Sequence, residues 1–372
     1  MPSRPAAPTA RGGRPPGRVL LVHPGALGDV VQALPALAAV RGSWPGAHVT
    51  LLTDAALAGF VAPLGLVDAT VGFDVSVAYH GNPTARATLL LRLARAARGA
   101  RPEVAITLKA APVYALLARA SGAPVRAGLA RGAGARLLTH PVPVDARQHR
   151  EARYRDAVRA GSADPDAGIA VPWPETELAL PRGPGRPTRW LAVAPGGGRN
   201  AKETMASRRW APARFAVVAA EALATDPALG VLLLGGPGDA AEAGVVAAAL
   251  PGGRVHDLVG HTDLFGARAA IARSAAFLGN DSALMHLAAT TQTPIVAVFG
   301  PTDPRVAAPR RANVHAIWSP VSPAPCVDDA SGQHRACETP CCIERVTAAR
   351  VGAAVRHALE SSSAARAVGH PG

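Results

Sequence analysis

Aromatic residues make up only 4% of the 372 residues, charged residues only 17%, and lysine occurs at just two positions, Lys109 and Lys202. Few aromatics leave little to stack on bases. No zinc-finger, RNA-recognition or helix-turn-helix pattern occurs, and the arginines read as scattered rather than grouped on one element, so nucleic acid is not an expected partner. No apolar run approaches the roughly 18 residues that a bilayer-spanning helix needs. Cysteine is missing until Cys326, and all four cysteines, Cys326, Cys337, Cys341 and Cys342, fall in one short stretch. A secreted disulfide framework would spread its bridges, so the cytoplasm is the expected compartment. Their spacing lacks the paired C-x2-C knuckles of a structural zinc site, and no metal site is expected.

What is plentiful is apolar side chain, at 49% hydrophobic residues, enough to fill two cores in a chain of this length. The formal charge is +13, carried almost wholly by arginine. Such skew reflects composition more than a binding site, yet it favours phosphate-bearing or membrane-surface partners through long-range attraction. Met1 to Gly17 places Arg4, Arg11 and Arg14 among Pro, Gly and Ala without the apolar centre of a secretory signal, and reads as a disordered basic leader.

Short β-branched and leucine-rich runs alternate with Ala-rich stretches of helical period, the pattern of βαβ units around parallel sheets. Strands are expected at Arg18 to Val22, His48 to Thr53 and Glu103 to Thr107. Helices are expected at Val30 to Val40, Ala55 to Leu64 and Val113 to Ala120. Pro172, Pro174, Pro181, Pro184 and Pro187 then interrupt both helix and strand, placing a linker at 172–189 between domains at 18–171 and 190–358, with a disordered tail at 359–372. In the second domain the expected strands are Leu191 to Ala194, Val231 to Leu234, Phe277 to Leu278 and Ile295 to Phe299. The expected helices are Trp210 to Ala224 and Ala283 to Thr290. Each strand delivers a Gly-rich loop at its carboxyl end, where open α/β sheets bind ligands, and two such sheets facing a central cleft is the expected architecture.

Familiar nucleotide signatures do not fit these loops. Gly196-Gly-Gly-Arg-Asn-Ala-Lys202-Glu203 has Ala201 where a phosphate loop needs its second Gly, and Glu203 where Ser or Thr would hold magnesium. Gly25-Ala-Leu-Gly28-Asp29 follows a strand and opens a helix but lacks the G-x-G-x-x-G spacing of a dinucleotide loop.

Taken together, the blocks resemble a known family. Val19-Leu-Leu-Val-His-Pro-Gly-Ala-Leu-Gly-Asp29-Val-Val-Gln-Ala-Leu-Pro-Ala-Leu37 is similar to the opening of family 9 glycosyltransferases, whose best known members are the ADP-heptose:lipopolysaccharide heptosyltransferases. Pro195-Gly-Gly-Gly, Ser207-Arg-Arg-Trp-Ala-Pro-Ala-Arg-Phe215, Leu234-Gly-Gly-Pro-Gly-Asp239, Gly279-Asn-Asp-Ser-Ala-Leu-Met-His-Leu-Ala288 and Phe299-Gly-Pro-Thr-Asp303 resemble its later blocks in their order. The likeness implies a GT-B type α/β fold of two Rossmann-like domains, with an N-terminal acceptor-binding domain and a C-terminal nucleotide-sugar domain. It also implies inverting, metal-independent transfer with no cofactor beyond the donor, heptose from ADP-heptose being the best match. The implied partners are the nucleotide-sugar and a glycolipid or saccharide acceptor of the cell envelope, with peripheral contact at the cytoplasmic face of the inner membrane. A catalytically silent saccharide-binding module, or another sugar-nucleotide enzyme, stands as the alternative on the same fold.

Asp29 matches the family's proposed catalytic base, and a carboxylate is the group that could take a proton from an attacking hydroxyl. Its bland alternative is a helix N-cap. Asp281, Ser282 and His286 match the block at the start of a helix whose free amides suit a diphosphate, with plain capping and a structural histidine as alternatives. Ala283 stands where the family commonly has Gly. Arg208 stands where relatives often carry Lys against the donor, with Lys202 as its competitor. Asp239 resembles an acidic residue that bonds the donor ribose; otherwise it is a loop carboxylate or cap. On the acceptor side, Lys109, His149 and Arg153 are candidates, against the ordinary case of solvated loop charges.

Overall fold

The structure, a computed structural model, describes residues 14–181, 183–197, 205–321, 324–328, 333–334 and 341–368. The chain divides into two compact units, Met1–Pro174 and Glu175–Gly372, so the division falls inside the proline-rich stretch.

The first unit holds a six-stranded sheet of β1 (Arg18–Val22), β2 (His48–Asp54), β3 (Ala69–Phe73), β4 (Val104–Thr107), β5 (Val125–Ala130) and β6 (His140–Pro143), in the order β3-β2-β1-β4-β5-β6. Every neighbouring pair is parallel. Four of the five residues of β1 are buried, as a central strand covered on both faces requires. The helices are α1 (Leu27–Ser43), α2 (Ala55–Val61), α3 (Val75–His80), α4 (Pro83–Gly99), α5 (Pro112–Ala120) and α6 (Arg150–Ala160). Side chains of Asp54, Asp74 and Asn82 cap α2, α3 and α4 by accepting from backbone N–H groups. One core lies under α3–α5 and includes Leu20, Val22, Phe73, Leu93 and Leu117. On α1, Val31, Leu34 and Leu37 are buried as their spacing predicts.

The second unit repeats the arrangement. Its strands are β7 (Arg189–Ala194), β8 (Leu229–Leu233), β9 (Val255–Asp257), β10 (Ala276–Asn280), β11 (Ile295–Phe299) and β12 (Val314–Trp318), ordered β12-β11-β10-β7-β8-β9 and all parallel. Read from the other edge, this is the strand order of the first sheet. Around it lie α7 (Pro212–Thr225), α8 (Ala240–Ala248), α9 (Leu264–Ala272), α10 (Ala283–Ala288), α11 (Pro304–Ala307), α12 (Cys341–Glu344) and α13 (Ala348–Val368). Trp210 packs edge-on to Phe215 and donates from Nε1 to the Val346 carbonyl at 2.8 Å, fastening α7 to the segment before α13. Among the described residues, no helix is long and apolar enough to cross a membrane.

Three expectations change. The leader was expected through Gly17, yet Gly17 already donates its N–H to Glu103 and accepts from His48; residues 1–13 lie outside those described. The tail was expected from 359, but α13 runs on to Val368, because Ala, Leu, Glu and Arg are good helix formers and no Pro or Gly intervenes. The arginines are not all scattered, since α4 alone carries Arg86, Arg92, Arg95 and Arg98. Leu359 is buried beside Ala358, and its carbonyl accepts from Arg189 on β7. Leu359→Ala is therefore expected to cost about 2–3 kcal/mol in a denaturant titration, as truncations in a core do; an unchanged midpoint would return residue 359 to a loose tail.

Candidate functional site

In each sheet the strand order reverses once, between β1 and β4 and again between β7 and β10, and candidate residues gather at both reversals.

In the first unit, β1 runs out at Val22 into His23-Pro24-Gly25 and α1, while β4 runs out two residues before Lys109. Lys109 Nζ donates to Asp29 Oδ2 at 2.6 Å, and Arg150 at the start of α6 lies 3.5 Å from Oδ1. Asp29 is not the cap of α1: Ala26 holds that position, with no side-chain cap bond. The carboxylate is spent on two cations instead. A Cβ on Gly25 would fall 3.1 Å from each of Asp29 Cβ, His23 Cε1 and Lys109 Cε, so any side chain there would push the three apart by a few tenths of an ångström.

Burial pushes the Asp29 carboxyl up, but Lys109 first and Arg150 second outweigh it, and the group is held well below the usual carboxylate range. Burial likewise works against the Lys109 ammonium, yet Asp29 beside it raises Lys109 above the usual lysine range. His23 is 1% exposed, lies edge-on to Tyr154 at 5.4 Å, and neither ring nitrogen has a hydrogen-bond partner among the described residues. Burial, reinforced by the charge of Lys109, lowers it to about 3, so it is a neutral imidazole beside an ion pair.

Of the other two acceptor-side candidates, His149 is buried at the N-cap of α6. Arg153 is also buried, and its guanidinium donates to the carbonyls of Ala146 and Gln148, which places it as a brace of its own loop. The residue between them, Arg150, is the one that reaches Asp29. Neither Arg150 nor His23 was anticipated from sequence. The signal for Arg150 was its place among three basic residues at a helix start; for His23 it was a histidine at the carboxyl end of a buried strand.

In the second unit, Asn280 at the end of β10 is fully buried. Its Nδ2 donates to the carbonyls of Pro195 and Gly196, and its Oδ1 accepts from the Trp210 N–H at 3.0 Å. This one amide joins the loop after β7, the end of β10 and the approach to α7. Asp239 binds the same loop from the other side, accepting from Gly197 N–H through Oδ1 and from Gly236 N–H through Oδ2, both at 3.0 Å. Arg209 completes the clasp, donating from Nε to the Gly197 carbonyl at 2.7 Å and from NH1 to Glu242 at 2.9 Å. Gly197, at φ +99°, lies so near Ser282 that a Cβ there would be 2.7 Å from the serine Cβ.

Around this loop, Arg208 Nε stands 3.6 Å from the buried Asp281 carboxylate, an ion-pair contact beyond hydrogen-bond length. Ser282 is the N-cap of α10, with no side-chain cap bond, and His286 is buried one turn on. Arg208, Asp281 and Ser282 thus come together, whereas Asp239 serves the loop backbone. Lys202 lies outside the described residues. Among those described, no group of three or more His, Cys, Asp or Glu side chains could hold a metal ion.

Residues 90–335 match the sequence profile of glycosyltransferase family 9 (heptosyltransferase). No curated protein matches the chain by sequence. Solved structures do match in fold. The E. coli ADP-heptose lps heptosyltransferase II is 20% identical, with a TM-score of 0.68 over 93% of this chain and 99% of that one. A glycosyl transferase family 9 protein from Veillonella parvula is 20% identical, with a TM-score of 0.66 over 81% of this chain and 85% of that one. E. coli heptosyltransferase WaaC, solved with ADP, is 17% identical, with a TM-score of 0.65 over 92% of this chain and 99% of that one. Two parallel six-stranded sheets are the architecture they share with it.

The buried neutral imidazole carries a prediction about stability. His23 has its folded value below the unfolded 6.5, so the unfolded chain binds more protons over the interval from about 6.5 down to about 3, and stability falls as pH drops through it. His23→Phe, which has nothing to protonate, is expected to flatten that loss by a few kcal/mol, of the order that a shift of this size implies. Parallel denaturation curves for both proteins at pH 7 and pH 4.5 check it, and an equal loss in the variant would clear His23 of the effect.

Proposed function

The chain belongs to glycosyltransferase family 9, and from that premise we propose that it transfers heptose from ADP-heptose to a hydroxyl of a lipopolysaccharide-core or other cell-envelope glycan, with inversion and without a metal. The choice of ADP follows the E. coli neighbours, one named for ADP-heptose and one solved with ADP. The work is assigned to the cytoplasm, at the inner face of the inner membrane.

The single observation that carries the reading is the unequal use of the two Asp29 oxygens. Oδ2 is taken by Lys109 at 2.6 Å, whereas Oδ1 has, among the described residues, only the 3.5 Å approach of Arg150 and is the oxygen assigned to an acceptor hydroxyl. Inversion is a single displacement: the hydroxyl oxygen bonds to the anomeric carbon, the bond from that carbon to the diphosphate oxygen breaks, and the hydroxyl proton passes to Oδ1. A carboxylate held below its usual range is a weak base, so the proton moves late, once bond formation has made the hydroxyl acidic. Lys109 and Arg150 hold the carboxylate ionised and oriented until then.

In the second unit the leaving diphosphate is assigned to the start of α10, where backbone amides and the Ser282 hydroxyl can meet developing negative charge, with His286 close by on the same helix. Asp281 would repel that anion if alone; Arg208 beside it offsets the charge and offers its planar fork to phosphate. Asp239, His149 and Arg153 are assigned positioning parts, holding the Gly197 loop and the segment before α6.

Two measurements test the assignment. Asp29→Asn is expected to keep fold and ADP affinity while transfer, assayed in EDTA, falls by about two to four orders of magnitude. Equal turnover would remove Asp29 from the chemistry, and parental activity lost in EDTA and restored by magnesium or manganese would remove the metal-free mechanism. Calorimetry on Arg208→Ala is expected to show ADP binding weakened by about 1.5–3 kcal/mol, with adenosine little changed. Equal losses for both ligands would take Arg208 away from the phosphates and leave Lys202 as the better candidate.

A further inference from the structure

Asn280 ends β10 with its side chain fully buried, a place where an amide is tolerated only if its polar atoms are met. Its neighbours specify an amide. The carbonyls of Pro195 at 3.0 Å and Gly196 at 2.9 Å each need a donor, and the Trp210 N–H at 3.0 Å needs an acceptor. An ionised aspartate could not donate to the first two, and an apolar side chain would leave all three groups unmet. The Gly196 carbonyl and the Gly197 N–H belong to one peptide group, and Asp239 Oδ1 accepts from that N–H at 3.0 Å. Between two glycines a peptide group is free to turn over, because neither side carries a Cβ. Here Asn280 holds its oxygen and Asp239 its nitrogen, so its orientation is fixed at both ends.

Three parts of the donor site depend on that one amide. Gly197, at φ +99°, is kept close enough to Ser282 that a Cβ on it would lie 2.7 Å from the serine Cβ. The bond to Trp210 fixes the chain just after Arg208, whose Nε stands 3.6 Å from Asp281. Asp281 and Ser282 themselves follow Asn280 directly. We propose that Asn280 is a positioning residue for the donor diphosphate: it touches no ligand, and its amide sets the Gly197 turn, the Arg208 segment and the Asp281-Ser282 corner in the arrangement that receives the phosphates. This rests on the assignment of the second unit to a nucleotide-sugar. Loosening the amide acts on the phosphate part of binding and leaves the nucleoside part alone.

Calorimetry on Asn280→Asp with ADP and with adenosine, at pH 8.5 and pH 5.5, tests it. A carboxyl buried against two carbonyls has its pKa raised, so at pH 5.5 it is protonated and donates to one of them, while towards pH 8.5 it ionises and repels both. Relative to the parental protein at the same pH, ADP is expected to bind at least roughly tenfold more weakly at pH 8.5 and to recover to within about threefold at pH 5.5, as for a hydrogen bond lost and then remade. Adenosine is expected to bind as in the parental protein at both. Asn280→Thr suits a strand and donates to one carbonyl whatever the pH, so its ADP affinity should be lowered a few-fold equally at both values. It decides the matter alone if the aspartate variant does not fold at the higher pH. Parental ADP affinity at pH 8.5 in a folded variant overturns the inference. So does an equal loss of ADP and adenosine, which would make Asn280 part of the fold alone. A parental protein that binds no ADP would overturn the proposed function together with this inference, whereas one that binds ADP beside unaffected variants overturns this inference only.

Discussion

A parallel sheet whose strand order reverses sends its crossover connections away on opposite faces, and the loops at the reversal part to leave a hollow at the strand ends. Both units obey this constraint, with β1 beside β4 and β7 beside β10. In the first, the two parting loops carry Asp29 and Lys109, which lie 80 residues apart in the chain yet touch because their strands are neighbours. In the second, the loops carry Gly197 and Ser282 and are joined by Asn280. The chemistry of each unit follows from which residues happen to follow those central strands.

The first hollow is an exercise in balancing charge where water is only partly excluded. One carboxylate faces two cations, and the neighbouring imidazole, which might have added a third, stays neutral because burial and Lys109 both oppose its proton. Removing Asp29 would leave Lys109 and Arg150 without their shared carboxylate, whereas removing Arg150 would leave the Asp29–Lys109 pair intact. The second hollow is organised by hydrogen bonds to one glycine loop, which Asn280, Asp239 and Arg209 all grip. Rigidity there comes from the loop's own amides and carbonyls, with the Arg209–Glu242 and Arg208–Asp281 ion pairs beside them.

Much of this could be read from residues in order, and the omissions have physical causes. The strands β1 and β11 match their expected ends, since an unbroken buried run has a sharp boundary. The stretch between residue 64 and β4 gave no strand or helix expectation: β3 buries only Phe73 fully among its five residues, and α4 buries only Leu93 and Ala97, so neither shows a clear period. Asp29, Arg208, Asp281 and Ser282 were legible because each sits in a block with its own spacing. Arg150 and His23 were not, because their importance lies in which strand and helix ends become neighbours. Asp239 was legible as a carboxylate beside glycines but not as the acceptor of two loop amides, a role that only the approach of β7 to β8 creates.

The last helix has an effect on how the second unit is made. α13 packs on α7 and over β10 and β11, and Val351, Val355 and Ala358 complete a core shared with Val218, Leu278 and Val298. During synthesis the first unit can close its own core early, since chains generally fold unit by unit from the leading end. The second sheet has no such freedom. Until residues 348–359 have emerged from the ribosome, the apolar surface that α13 covers on β10, β11 and α7 stays exposed, and the nascent chain is open to misassociation in that interval.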